Sequence, residues 1–226
     1  MEALEAIRGR KSIRAFLPTP VPGEVIAQIL EVSRWAPSAV NRQQWRITVA
    51  TGELCRTLAN RLVEQARQQH PGAPESAADP PGERRGTNTL VADLTRIAEG
   101  LGQSLWEFVV LGSYRLYGAP AVVVVSHPGR HGGDVAQFVT TMLIAAHALG
   151  IGTCWLGYPL RFADLIRQTL GIPEGEQLGA VVALGYPDPD SPANAYRSPR
   201  DGLDAFVRWM GSDQGAAPAA RGRDID

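Results

Sequence analysis

Two apolar runs limit what this 226-residue chain can become. They are Ala119-Pro-Ala-Val-Val-Val-Val-Ser126 and Leu178-Gly-Ala-Val-Val-Ala-Leu184. Neither alternates with polar residues, and both are rich in small and β-branched side chains. Strands of this kind are buried ones, so each must lie in a sheet covered by other elements. Trp45-Arg-Ile-Thr-Val49 does alternate, as a half-exposed strand should, and a fourth strand is expected around Thr153–Leu156.

Helical spacing fills the intervals. It marks a short helix over 2–9, one from Val25 to Ser33, one through Leu54 to Val63 and one through Leu90 to Leu101. Asp134 is placed to cap a helix carrying Phe138, Met142 and Leu149, and Pro159 opens another that ends at Gly171. A last short helix is expected over Leu203–Met210. The apolar cluster from Leu105 to Leu111 leaves its secondary structure open. Strands and helices do not alternate as in a doubly wound sheet. The expected class is α+β: a sandwich in which helices cover a modest mixed or antiparallel sheet. Residues 1–210 read as one domain. Within it, 70–105 forms an excursion or lid that opens with a polar, Pro- and Gly-rich stretch, and 211–226 read as a disordered tail.

Composition excludes several classes. A net charge of −1 leaves no basic field for nucleic acid. No apolar stretch reaches about 18 residues and no signal-peptide pattern opens the chain, so no membrane span and a cytoplasmic location are expected. Cys55 and Cys154 are isolated, and the four histidines show no metal spacing, so no metal site is assigned. Neither Gly-x-Gly-x-x-Gly after a strand nor Gly-x-Ser-x-Gly occurs.

Chemistry concentrates in two short segments. Arg8-Gly-Arg-Lys-Ser-Ile-Arg-Ala-Phe16 holds four cations and a hydroxyl, including Lys11, the single lysine beside 21 arginines. It reads either as a solvated face or as a phosphate site, where guanidinium forks match phosphate oxygens. Pro37-Ser-Ala-Val-Asn-Arg-Gln-Gln44 reads either as a plain turn or as an amide-rich grip on the polar edge of a heterocycle. Arg197-Ser-Pro-Arg200 adds cations near the C-terminus, and Gly157 permits close approach of a flat ligand.

Together these pieces resemble the FMN-dependent nitroreductase family from about residue 4 to about residue 209. The anchors are Arg10–Phe16, Ala36–Gln43, Tyr117-Gly-Ala-Pro120, Asp134 through Met142–Gly152, Gly185-Tyr-Pro187 and Arg200. The resemblance implies an intertwined homodimer with FMN at the subunit interface and NADPH or NADH as electron donor. Arg10, Lys11, Ser12 and Arg14 match the opening flavin contacts: Arg10 and Ser12 at the phosphate, Arg14 at the pyrimidine edge. Pro37, Ser38, Ala39 and Asn41 match contacts from the other subunit. Leu156 and Gly157 match the backbone beside N5, and Arg200, with Arg197, a C-terminal phosphate ligand. Trp106, Phe108, Tyr114 and Tyr117 are candidates for a substrate pocket. Two departures stand out: Leu156 replaces a glutamate common in relatives, and a usual Gln-Asn pair reads Gln137-Phe138. The implied activity is two-electron, ping-pong reduction of a nitroaromatic, quinone-like or other small electron-poor acceptor, with no catalytic side chain assigned. Oxygen-driven oxidation of a biosynthetic intermediate and noncatalytic flavin binding are the alternatives.

Overall fold

A computed structural model describes residues 1–69, 87–129 and 132–210. The polar stretch 70–86 of the expected lid and the expected disordered tail lie outside the described residues. The sheet has four strands: β1 (Arg46–Thr51), β2 (Ala121–His127), β3 (Gly152–Leu156) and β4 (Gln177–Gly185). Their order is β1-β2-β4-β3, and every pairing is antiparallel. The two apolar runs are thus the two interior strands, and every residue of β2 is buried.

Alternation along these strands sorts their side chains between two layers. Val122, Val124, Val181 and Ala183 face α3 (Gly52–Gln69), α7 (Ala163–Leu170) and the segment 106–118. Val123, Val125, Val182 and Leu184 face α2 (Gly23–Ser33) and α6 (Gly132–Ala148). Near-continuous apolar strands are therefore required, because helices cover both faces. A smaller cluster joins α4 (Thr87–Gly100) to Phe108 and Ala193. No described helix is long and apolar enough to cross a membrane.

The open stretch after α4 resolves into a π-helix over Trp106–Leu111, running into the three-residue α5 (Gly112–Tyr114) and a 3-10 turn, Leu116–Gly118. Leu116 and Tyr117 both hold positive φ, 55° and 52°. Two local expectations are corrected. Asp134 lies inside the first turn of α6, and its carboxylate turns away to accept the Ala39 N–H at 3.1 Å. In the C-terminal segment only Leu203–Ala205 forms a turn, of 3-10 type, and Phe206–Met210 are not helical.

Candidate active site

The cation-rich segment begins where α1 (Ala3–Gly9) ends, and it lies along the outer edge of β3. Bridges join Ser12 to Thr153 and Phe16 to Pro187. The Ile13 N–H donates to the Thr153 carbonyl at 2.9 Å, and the Leu17 N–H to that of Tyr186 at 2.9 Å. So close an approach requires Gly152. A Cβ there would stand 2.8 Å from Ile13 Cγ1 and 2.9 Å from Pro187 Cγ.

From the other side the segment is clamped by Asn194, a buried residue in the one-turn helix α8 (Pro192–Ala195). Its carboxamide oxygen accepts the Arg14 N–H at 2.9 Å. Its nitrogen donates to the carbonyls of Ala15 at 2.7 Å and Asp188 at 2.9 Å. The Lys11 ammonium donates to the Asn194 carbonyl, so Lys11 is engaged with this frame. Reading the sequence missed Asn194: a single asparagine in a polar loop carries no signal for the partners that tertiary folding brings.

The C-terminal arginines return to the same place. Burial first, then Arg200 and Arg197, hold the Arg10 guanidinium below its ordinary value. Among the described residues, Arg10, Arg197 and Arg200 make no ion pair. Arg197 donates to the Arg8 carbonyl, and Arg200 to Ser198 Oγ at 2.9 Å. Burial, then Asp93, push the Tyr196 phenol up, opposed by Arg14 and Arg200, so both arginines lie within electrostatic reach of it. Beneath the segment, burial pushes the Cys154 thiol up, opposed by Arg14, by a hydrogen bond from Ser12 and by Arg10. Arg14 also hydrogen-bonds the Tyr117 phenol, whose ionisation is pushed up mainly by burial.

The second predicted segment lies elsewhere. Ser38 Oγ accepts the Gln43 N–H at 3.1 Å, and Asn41 Oδ1 accepts from Gln43 Nε2 at 2.9 Å. Val40, Asn41 and Gln43 all hold φ near +50°, a region costly for a β-branched residue such as Val40. Pro37, Ala39 and Val40 are exposed, Val40 at 85%. The turn is tied by Ala39 to Asp134, at the opening of α6, whereas Arg10 lies by the far end of that helix. From Asp134 to His147 the helix rise amounts to about 20 Å.

Of the expected pocket residues, Tyr114 is a core side chain, stacked on Phe162 at 5.1 Å. That is a correction to its assignment as a pocket wall. Its ring satisfies the layer between the sheet and α3, where apolar area is worth most. Trp106 is half-buried against the same core. Phe108 is buried but also lines a cavity of about 290 Å³ with Arg14, Phe16, Glu107, Arg115 and Tyr117. The Leu156 side chain points into the core, 3% exposed, while Gly157 is open to solvent.

The nitroreductase family model matches residues 7–186, and the chain belongs to that family. It is 31% identical over 218 residues to the nitroreductase NfnB of Mycolicibacterium smegmatis, covering 90% of each chain. It is 28% identical to a 4-nitrobenzoate reductase of Pseudomonas putida, covering 92% of this chain and 95% of that one. Among solved structures, the FMN-dependent nitroreductase NfnB from Mycobacterium smegmatis in complex with NADPH superposes with a TM-score of 0.76 at 30% identity, covering 92% of this chain and 98% of that one. The FMN- and NADPH-dependent nitroreductase NfnB from Sphigopyxis sp. strain HMH gives 0.80 at 25% identity, covering 94% and 100%.

Proposed function

We propose that this chain is an FMN-dependent oxidoreductase that takes electrons from NADPH or NADH. It passes two of them to a nitroaromatic, quinone-like or related small electron-poor acceptor. One observation carries the reading. Arg10, Arg197 and Arg200 act on one another at the edge of the sheet, and among the described residues none of them makes an ion pair. Like charges brought together, with Arg10 partly desolvated, ask for an anion, and a phosphoryl group supplies one. The residues present therefore fit FMN. The dependence of the similar NfnB nitroreductases on FMN and NADPH supports the same group and donor.

FMN, when bound, supplies the two-electron redox chemistry. The chain's own residues bind, orient and place charge. Arg10, Ser12, Arg197 and Arg200 would hold the phosphate. Arg14, kept in place by Tyr117 and Asn194, would stabilise negative charge at the pyrimidine edge. Leu156 would contribute backbone only, since its side chain is committed to the core, and Gly157 leaves room beside it. Lys11 would act on the frame through Asn194. No side-chain acid or base is assigned. Donor and acceptor using one cavity in turn predicts ping-pong kinetics.

We infer a homodimer, in which Pro37, Ser38, Ala39 and Asn41 reach the flavin held by the other protomer. The separation along α6 supports this, because the turn and the arginine cluster stand at opposite ends of that helix. Exposed Leu4, Ile7, Trp35, Leu203, Phe206 and Trp209 support it too, since so much bare apolar surface is unusual on a monomer. A cytoplasmic location, with its supply of reduced nicotinamide, suits this chemistry.

The test starts with the visible spectrum of the purified protein and identification of the released flavin. Anaerobic mixing with NADPH and with NADH follows. Yellow protein, FMN in the extract and bleaching by either donor are expected. Arg10→Ala should weaken FMN binding at least about tenfold while sparing riboflavin, which lacks the phosphate. A protein that takes up no FMN, or whose flavin neither nicotinamide bleaches, overturns the reading.

A further inference from the structure

His147 stands in the last turn of α6, where that helix meets the end of α1. A Cβ on Gly9 would lie 2.5 Å from His147 Nε2, so the imidazole reaches the backbone directly before Arg10 only because residue 9 is glycine. With Arg10 and Lys11 it lines a cleft of about 430 Å³, walled further by Asp188 and Asn194. The charged groups around it come from several elements. Arg10 and Lys11 belong to the N-terminal segment and Arg197 to the C-terminal one, while Asp188 after β4 and Met1, which carries an α-amino group, also line the cleft. Asp134, the other ionisable group of the described α6, is at its opposite end. Glu2, Glu5 and Arg8 of α1 and Glu24 and Glu31 of α2 are exposed. Burial, then Arg10, Arg197 and Lys11, hold His147 below its ordinary value and so favour the neutral imidazole in the free protein.

We propose that His147 is the proton-linked member of the phosphate cluster: as the FMN phosphate settles by Arg10, His147 takes a proton from solvent and becomes an additional cation. This rests on the FMN reading above. The physical reason is cancellation. A phosphate near −2 offsets the arginine field that favours the neutral imidazole, and the carbonyl end of α6 then favours the imidazolium. No bond to FMN forms. The bound state holds more protons than the free state, so affinity falls as pH rises through the His147 titration. The steepest slope is about tenfold per pH unit.

Calorimetric titration of FMN into the full-length apoprotein, at pH 6.5 to 7.5 in two buffers of different ionisation enthalpy, counts the protons. The wild type should take up a larger fraction of a proton than His147→Gln. Ionisation of the free FMN phosphate is common to both proteins and leaves the difference untouched. Riboflavin should show no such difference. Equal proton counts in two proteins that both bind FMN overturn the proposal and leave the FMN reading standing. Failure of the wild type to bind FMN overturns both. Should His147→Gln not fold, imidazole NMR in the wild type decides: the His147 midpoint must move up when FMN is added, and an unmoved midpoint overturns the proposal.

Discussion

Arg14 and Asn194 are 180 residues apart in sequence and joined by a 2.9 Å hydrogen bond from the Arg14 N–H to the Asn194 carboxamide. The same carboxamide donates to Ala15 and Asp188, so one buried side chain fixes the backbone on which the cation segment is strung. Asn194→Ala leaves one backbone donor and two acceptors without that partner. The expected loss is about 2–3 kcal/mol in apoprotein stability, read by urea denaturation. FMN affinity should fall with it, although Asn194 is not assigned to touch FMN. Asn194→Asp should be worse than Ala, because its second oxygen would face the two carbonyls as an acceptor.

Much of the sheet was legible because β2 and β4 are apolar at consecutive positions, and only a strand covered on both faces tolerates that. The cation-rich segment was legible as a cluster because four cations fall within seven residues, a density that survives without tertiary information. The approach of Arg200 to Arg10 was expected only through resemblance, since nothing local says which distant group an exposed arginine will meet. Asn194 and His147 were invisible for the same reason. Residues 106–111 are apolar at most positions, so periodicity could not name a π-helix. The helix expected over Leu203–Met210 fails for a related cause. A short amphipathic stretch is helical only when something buries its apolar side, and within one chain Phe206, Trp209 and Met210 stay exposed.

The Leu156 side chain is in the core shared by Cys154, Phe162 and Val181. Leu156→Glu should therefore not import a hydrogen bond to the flavin. It should bury a carboxylate without a partner and cost several kcal/mol at pH 7. Burial raises the pKa of such a group above its unfolded value, so the loss should shrink as pH falls below that raised pKa toward the unfolded one. Thermal denaturation of wild type and variant at pH 5 and pH 7.5 checks both the size and the sign.

Cys55 is a buried residue of α3, and its thiol is pushed up to about 11, chiefly by burial and in spite of Arg56. Cys154 is raised in the same sense. At pH 8 the native protein should resist iodoacetamide, and both thiols should react once it is denatured. The folded state keeps its Cys55 proton where the unfolded chain loses it. Stability should therefore decline as pH rises from about 9 toward 11. Cys55→Ser should flatten that decline relative to wild type, whatever its stability at pH 7; an unchanged slope would remove the thiol from the account.

Phe206, Trp209 and Met210 are 66%, 53% and 82% exposed, at the end of the segment that carries Arg197 and Arg200. Apolar area of that size is stable only against another surface, and the proposed second protomer offers one. Phe206→Asp introduces a charge that such an interface must desolvate. The expected result is a shift from dimer to monomer at micromolar concentration, measured by sedimentation velocity. FMN retention should fall in parallel, because in the proposed dimer the Ser38–Asn41 turn reaches the flavin from the partner. A variant that becomes monomeric and keeps FMN at wild-type affinity would show that one chain alone completes the site. A wild type that sediments as a monomer would remove the two-protomer arrangement altogether.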